Sequence, residues 1–335
     1  MQKLIVLPFL VLLLACSNSP EGKIITVNGP ISPEKLGTTL EHEHILVDFS
    51  GAENYHPENY NQQEAFDRIL PELKKLKEYG VESFVECTPN FVGRDVVLLK
   101  KIADATGLNI LTNTGFYGAQ NNKFIPKHVL DMTAEAIAEF YTAEFKQGIE
   151  GTGIRPGFIK TAVDRKPLSD FHAKLARAAA IAHKATGLTI MSHTGPALPA
   201  FQQLDILKEE GVSPEAFIWT HASNEKDWEN LVKVAHMGAW ISLDKYGWDK
   251  DYLKGEILVY LKEQGVLDKI LISHDAGWYE PSQPAKAIQP YTPIFETLIP
   301  NLKANGFTAA EVDLLLVKNP AKAFTVSKRL ITPSN

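Results

Sequence analysis

From residue 39 onward the chain alternates between two hydrophobic patterns. One is helical. Phe66, Ile69, Leu70, Leu73 and Leu76 recur at the spacing of a single helix face. Such stretches end in glycine, at Gly80, Gly107, Gly187, Gly211, Gly238 and Gly265. Glycine is favoured just past a helix end because it accepts a positive φ. The other pattern is a short apolar run with little alternation, which suits a strand buried on both faces. The runs are Thr39–Leu46, Ser83–Thr88, Asn109–Asn113, Gly157–Thr161, Leu188–Ser192, Phe217–Thr220, Ala239–Leu243 and Lys269–Ser273. Strands alternating with helices predict a parallel sheet. Eight of them, in about the 250 residues such a fold takes, predict a single α/β domain, a (β/α)8 TIM barrel. Final helices near Ala309–Val317 and Pro320–Val326 close one end. A doubly wound open sheet is the competing arrangement. No Gly-x-Gly-x-x-Gly follows a strand, so dinucleotide binding has no support.

The amino terminus breaks this rhythm. Lys3 precedes an apolar run, Leu4 to Ala15, and then Cys16. The run is too short to span a bilayer and has the length of a secretory signal core. Leu13-Leu14-Ala15-Cys16 resembles a bacterial lipobox, in which the cysteine is lipidated. The expected division is a signal peptide over 1–15, a tether over 16–28 and the barrel over 29–330. Lipidation of Cys16 would make this an exported bacterial lipoprotein, held by its anchor in the periplasm or at the outer membrane or cell surface. Cys87 is then the lone thiol, so no internal disulfide is available. It lies in an apolar strand and reads as a buried, inert side chain. Net charge is −6, which leaves no basic footprint for nucleic acid.

In this barrel, chemistry gathers at the C-terminal ends of the strands. Strand one carries His42 and His44, two residues apart and therefore on one face, with Glu43 on the other. Strand four ends at Lys160, strand five at His193, strand six at His221, and strand eight at Ser273-His274-Asp275. Imidazole and carboxylate donors suit zinc, manganese, iron or cobalt. A catalytic zinc usually takes three protein ligands, so this set is too large for one ion. It suits two ions sharing bridges, which together assist hydrolytic displacement. This reasoning leaves Lys160 unexplained, because a protonated lysine is no ligand. His274 points away from Asp275 and receives no role. His56, His128, His172, His183 and His236 lie away from the strand ends and read as structural or surface residues.

His42-x-His44, Gly157-Phe158-Ile159-Lys160, Ser192-His193-Thr194, Thr220-His221 and Ser273-His274-Asp275 resemble the metal motifs of the phosphotriesterase family of the amidohydrolase superfamily. Gly93-Arg94-Asp95, Asn113-Thr114-Gly115 and Asn319-Pro320-Ala321 extend the resemblance from about Gly29 to Phe324. It implies that Lys160 reacts with carbon dioxide to a carbamate that bridges two divalent transition-metal ions, Zn2+ first, with Mn2+, Co2+ or Fe2+ as alternatives. One ion would take His42, His44, Lys160 and Asp275, the other Lys160, His193 and His221, with a bridging hydroxide between them.

The resemblance also bears on substrate. Phosphotriesterases carry a histidine after strand seven, where this chain has Leu243-Asp244-Lys245-Tyr246-Gly247. Tyr117 stands where the phosphotriesterases have tryptophan and the phosphotriesterase-like lactonases have tyrosine. Both departures favour an ester hydrolase of the lactonase kind, acting on a small-molecule ester or lactone. Lys160 and Asp275 are the catalytic residues on this reading, and Asp275 passes a proton to the leaving alkoxide. Tyr117, Lys245 and Trp278 would meet the substrate, and Trp248, Trp278 and Tyr279 would shape the pocket. The alternatives are a phosphotriester hydrolase with the same site and, in another class, a non-catalytic ligand-binding lipoprotein. A homodimer is compatible with the sequence but not specified by it.

Overall fold

The computed structural model describes residues 20–332. The signal peptide, Cys16 and the start of the tether lie outside the described residues. Eight strands line up in chain order: β1 (Thr39–Glu43), β2 (Ser83–Glu86), β3 (Asn109–Leu111, resuming as Asn113–Thr114), β4 (Phe158–Ala162), β5 (Ile190–His193), β6 (Phe217–Thr220), β7 (Trp240–Leu243) and β8 (Ile270–Ile272). All neighbouring pairs from β1 to β8 are parallel. The ladder is interrupted at Thr112, where β3 changes partner from β2 to β4. Between β8 and β1 no regular ladder forms. There the Asp275 N–H donates to the His42 carbonyl at 3.0 Å, and the His44 N–H to the Ala276 carbonyl at 2.9 Å. The last strand therefore lies beside the first, in the order of a (β/α)8 barrel.

Helices α1 (Gln62–Glu78), α2 (Val96–Thr106), α3 (Ala134–Gln147), α4 (Asp170–Thr186), α5 (Ala197–Glu209), α6 (Trp228–His236) and α7 (Glu256–Glu263) follow β1 to β7 in turn. Their ends are locally encoded. Asn61, Asp95, Thr133, Ser169 and Asp227 each accept a hydrogen bond from a backbone N–H of the first turn they cap. All six predicted glycine stops take positive φ. Beyond β8, a helical run that the sequence pattern did not separate, Ile294–Leu298 with Ile299–Ala304, precedes the closing helices Ala309–Asp313, Leu314–Lys318 and Asn319–Phe324.

The barrel interior has two layers. The lower is apolar: Val85, Cys87, Leu111, Phe158, Met191, Ile218, Trp240 and Leu271, plugged from below by Ile24, Leu36, Ala323 and Phe324. Ile24 belongs to a hairpin, Ile24–Thr26 paired with Gly29–Ile31, which corrects the expected tether. Ile24, Ile25 and Val27 are buried, so the folded body begins upstream of residue 28. Apolar side chains with a barrel floor to cover gain more by packing than by staying in solvent. Cys87 is free and buried, and its burial pushes the thiol well above the usual range, as an inert core residue requires. The upper layer is polar. Among the described residues no helix is long and apolar enough to cross a membrane.

Strand β1 carries the detail that sets up this polar layer. Leu40 pairs with Phe84, but the next partners are Glu43 and Glu86, so β1 holds one extra residue. This bulge lets Glu41, His42 and His44 all reach the interior, where Glu41 meets Ser242 of β7 at 2.6 Å.

Candidate metal centre

The strand ends place six predicted residues round one space. His42 comes within 3.3 Å of the Lys160 ammonium through Nε2. His44 Nε2 lies 3.1 Å from Asp275 Oδ1, and His42 Nε2 lies 3.8 Å from the same oxygen. His221 Nε2 meets His193 Nδ1 at 2.7 Å, and the Tyr117 hydroxyl reaches that same His193 nitrogen at 2.9 Å. Donor atoms of His42, His44 and Asp275 all fall within 4.8 Å of one another, as do those of His42, His221 and Asp244.

The ring tautomers follow from the residues behind. Asp244, completely buried, accepts from His42 Nδ1 at 2.9 Å, from His221 Nδ1 at 3.0 Å and from the His221 N–H at 2.9 Å. Burial works to raise the Asp244 carboxyl, but the charge and hydrogen bonds of His221 and His42 outweigh it and hold the group well below the usual range. A carboxylate only accepts, so both rings carry hydrogen on Nδ1 and aim Nε2 at the shared space. His44 reaches the same state by another route. Its Nδ1 donates to Thr88 Oγ1 at 2.8 Å, and that hydroxyl in turn donates to Glu86. Burial, then the nearby Lys160 charge, drives His44 down to about 3 and His42 well below its usual range. The His42 and His44 imidazoles are therefore neutral at physiological pH, the form that ligates metals.

Asp275 differs. Burial pushes its carboxyl well above the usual range despite the pull of His221. Its backbone and that of His221 sit in the left-handed region, at φ 54° and 58°, a strain of about 1–2 kcal/mol for a residue with a Cβ. Strained backbone concentrates at functional sites when the surroundings hold it in place. Gly115, at φ 141°, lies against the Lys160 carbonyl with no room for a Cβ, so β3 and β4 close tightly beside the lysine. Lys160 is 1% exposed. Among the described residues it has no carboxylate oxygen in ion-pair range, so the ordinary pairing with Asp275 is not formed.

Of the predicted substrate-facing residues, Tyr117 and Trp278 line the cavity over the cluster, with Val47, Phe49, Pro89 and Val92. Lys245 does not. Its ammonium lies over the Tyr252 ring at 5.4 Å, because an aromatic face beside the β7 loop attracts the cation away from the cavity. Tyr279 is buried and bridges to Leu46 rather than shaping the pocket. Trp248 is 48% exposed and outside the cavity wall. His274 faces away as expected and donates from Nδ1 to buried Glu43 at 2.7 Å, while accepting from the Ile294 N–H. His172 and His183 are structural, bonded to the carbonyls of Gly118 and Leu188.

The residue that the sequence pattern did not single out is Asp244. Its position directly after an apolar strand, the same position that marked His221, was the available signal.

The sequence profile of the phosphotriesterase family matches residues 22–324. An aryldialkylphosphatase of Saccharolobus solfataricus is 33% identical over 308 residues, covering 88% of this chain and 97% of its own. A phosphotriesterase homology protein of Escherichia coli is 29% identical, covering 88% and 100%. The N-acetyltaurine hydrolase of Xenopus tropicalis is 28% identical, covering 92% and 99%. Taken with the strand-end histidines, the buried lysine and the aspartate after β8, these matches show that the chain belongs to the phosphotriesterase family.

Proposed function

We propose that this phosphotriesterase-family hydrolase is metal-dependent and opens lactones. The observation that carries the proposal is the Asp275 carboxyl held among imidazole nitrogens beside a buried Lys160 that has no acid partner among the described residues. The residues fit a pair of divalent transition ions. His42, His44 and Asp275 would hold one, His193 and His221 the other, and Lys160 as a carbamate would bridge them. A bare ammonium has three donors and no acceptor, whereas the carbamate is an anionic oxygen ligand. Zn2+ suits these donors, and Mn2+, Co2+ and Fe2+ accept the same set. When bound, such a pair activates water for attack near neutral pH and polarises the acyl oxygen.

The chain's own groups do the rest. With the ions bound, the Asp275 carboxylate would take a proton from the attacking water and return it to the leaving alkoxide. Tyr117, anchored on His193, positions the ring of the substrate. Phe49, Val47, Val92 and Trp278 make the cavity wall apolar and exclude water around the reacting ester. Beyond the cluster itself, the described cavity lining carries no charged side chain, which suits an uncharged substrate. Lactones are favoured because Tyr117 faces the cluster and the loop after β7 brings no histidine to it.

A phosphotriester is the second reading, favoured by the aryldialkylphosphatase relative. A panel of both substrate classes separates the two. We expect kcat/KM for the best lactone to exceed that for every aryl dialkyl phosphotriester, and a triester ahead of all lactones would reverse the assignment. We also propose export and lipidation at Cys16. Fractionation of Cys16→Ser should move the protein from membranes to the soluble fraction, and a variant that stays on membranes would end that part of the proposal.

A further inference from the structure

The carbonyl of Asp275 accepts two indole hydrogen bonds. Trp248 Nε1–H donates to it at 2.7 Å from the loop after β7, and Trp278 Nε1–H donates at 2.9 Å from the loop after β8. A carbonyl has two lone pairs, so these two donors use its full capacity. The other side of the residue is also fixed, because the Asp275 N–H donates to the His42 carbonyl at 3.0 Å. Both peptide groups flanking the Asp275 side chain are therefore pinned, in a left-handed conformation that a residue with a Cβ does not favour.

Packing does not account for Trp248. It is 48% exposed, and partial burial alone does not fix the direction of its N–H. Its ring stands edge-on to Trp278 at 5.3 Å, and Trp278 in turn stands edge-on to His44 at 5.3 Å and against Phe49 at 5.2 Å. The chain of contacts runs from a surface loop to a strand-end carboxylate and a strand-end histidine. Trp278 has its own left-handed backbone, φ 68°, and follows Gly277, where a Cβ would collide with the His44 carbonyl and the Tyr291 hydroxyl. The turn after β8 is held as a unit, and among the described residues the Trp248 indole is the one polar donor to it from the β7 loop.

We propose that Trp248 and Trp278 form an indole clamp that positions Asp275, fixing its backbone so that the carboxylate is already aimed at the metal position. Trp248 is a positioning residue that acts through Asp275 and touches neither ion nor substrate. This rests on the reading of Asp275 as a metal ligand. Groups hydrogen-bonded behind a ligand typically change metal affinity by about 10–100-fold when removed. The clamp works at the backbone rather than at the carboxylate oxygens, which remain free for the ion and for proton transfer.

The test is a double-mutant cycle on the full chain, read by Zn2+ affinity in competition with a chromophoric chelator. Trp248→Phe keeps the aromatic ring and removes only the N–H. We expect it to weaken Zn2+ binding about 10-fold or more, with kcat reduced and KM little changed. In an Asp275→Asn background the same substitution should change affinity less than about twofold, because its route of action is already gone. Wild-type affinity in Trp248→Phe, when Asp275→Asn itself weakens binding, overturns the clamp. An equal loss in both backgrounds also overturns it, and shows a general effect on the fold. No change in affinity from Asp275→Asn would instead remove the ligand assignment on which the clamp stands. The comparison is a difference between backgrounds, so a uniform loss of stability in Trp248→Phe does not mask the result.

Discussion

Asp244 at the end of β7 and Asp275 at the end of β8 are the same side chain at adjacent strand ends, and both interact with His42 and His221. Asp244 is fully buried beneath the rings, accepts three hydrogen bonds from the two histidines and is held well below the usual carboxylate range. Asp275 faces the cavity at 16% exposure, meets the rings at 3.1 to 3.9 Å and is pushed well above that range. Burial acts on both. The donors behind Asp244 overcome it, and the more distant rings around Asp275 do not. Protonation at this site is thus set by hydrogen-bond count rather than by residue type.

The largest effect should come from the second aspartate. Asp275→Asn is expected to lower kcat by about 10²–10⁴ while the melting temperature stays close to that of the parent, since the proposed mechanism gives this carboxyl the proton transfer. Asp244→Asn should act differently. It removes the acceptor that fixes two ring tautomers, so metal affinity should fall about 10–100-fold, with activity recovered at saturating metal. Metal titrations of both variants check the contrast. If Asp244→Asn lost its activity irrecoverably and Asp275→Asn merely bound metal more weakly, the division of roles would fail.

A smaller effect comes from Glu86, a third buried carboxyl, away from the rings. Burial raises it to about 8 even though Thr88 and the Ile45 N–H donate to it. The folded carboxyl stays protonated while the unfolded one ionises from about pH 4.5. Its stabilising contribution is therefore fully present below pH 4.5 and is lost as pH rises towards 8. In metal-free protein, the stability of Glu86→Gln relative to the parent should climb between pH 5 and 8, by at most about 1.4 kcal/mol per pH unit. Denaturant melts across that range measure the slope. A flat difference would mean that burial does not govern this carboxyl, and would weaken the same argument for Asp275.

Much of the barrel was legible because its signals are local. Glycine stops and short apolar runs place each strand to within about three residues, and the six strand-end side chains that meet round one space follow from their position. What escaped is what depends on neighbours distant in sequence. Ile24 and Ile25 read as tether because nothing nearby shows that a barrel floor lies open to receive them. The bulge in β1 is a mismatch with β2, invisible in either strand alone. Asp244 sits in a stretch whose interest was the missing histidine, and its role comes from β1 and β6, 202 and 23 residues away. Lys245 was misplaced because the ring that attracts it, Tyr252, belongs to a loop with no periodic pattern.

The account stands on two ions held around a modified Lys160, and counting them is the direct test. Elemental analysis of purified protein, followed by chelation and reconstitution with and without bicarbonate, reads both parts. The account predicts about two transition-metal ions per chain, loss of activity on chelation, and faster recovery when bicarbonate accompanies the metal. Full activity with a single ion per chain, and recovery indifferent to bicarbonate, would contradict it.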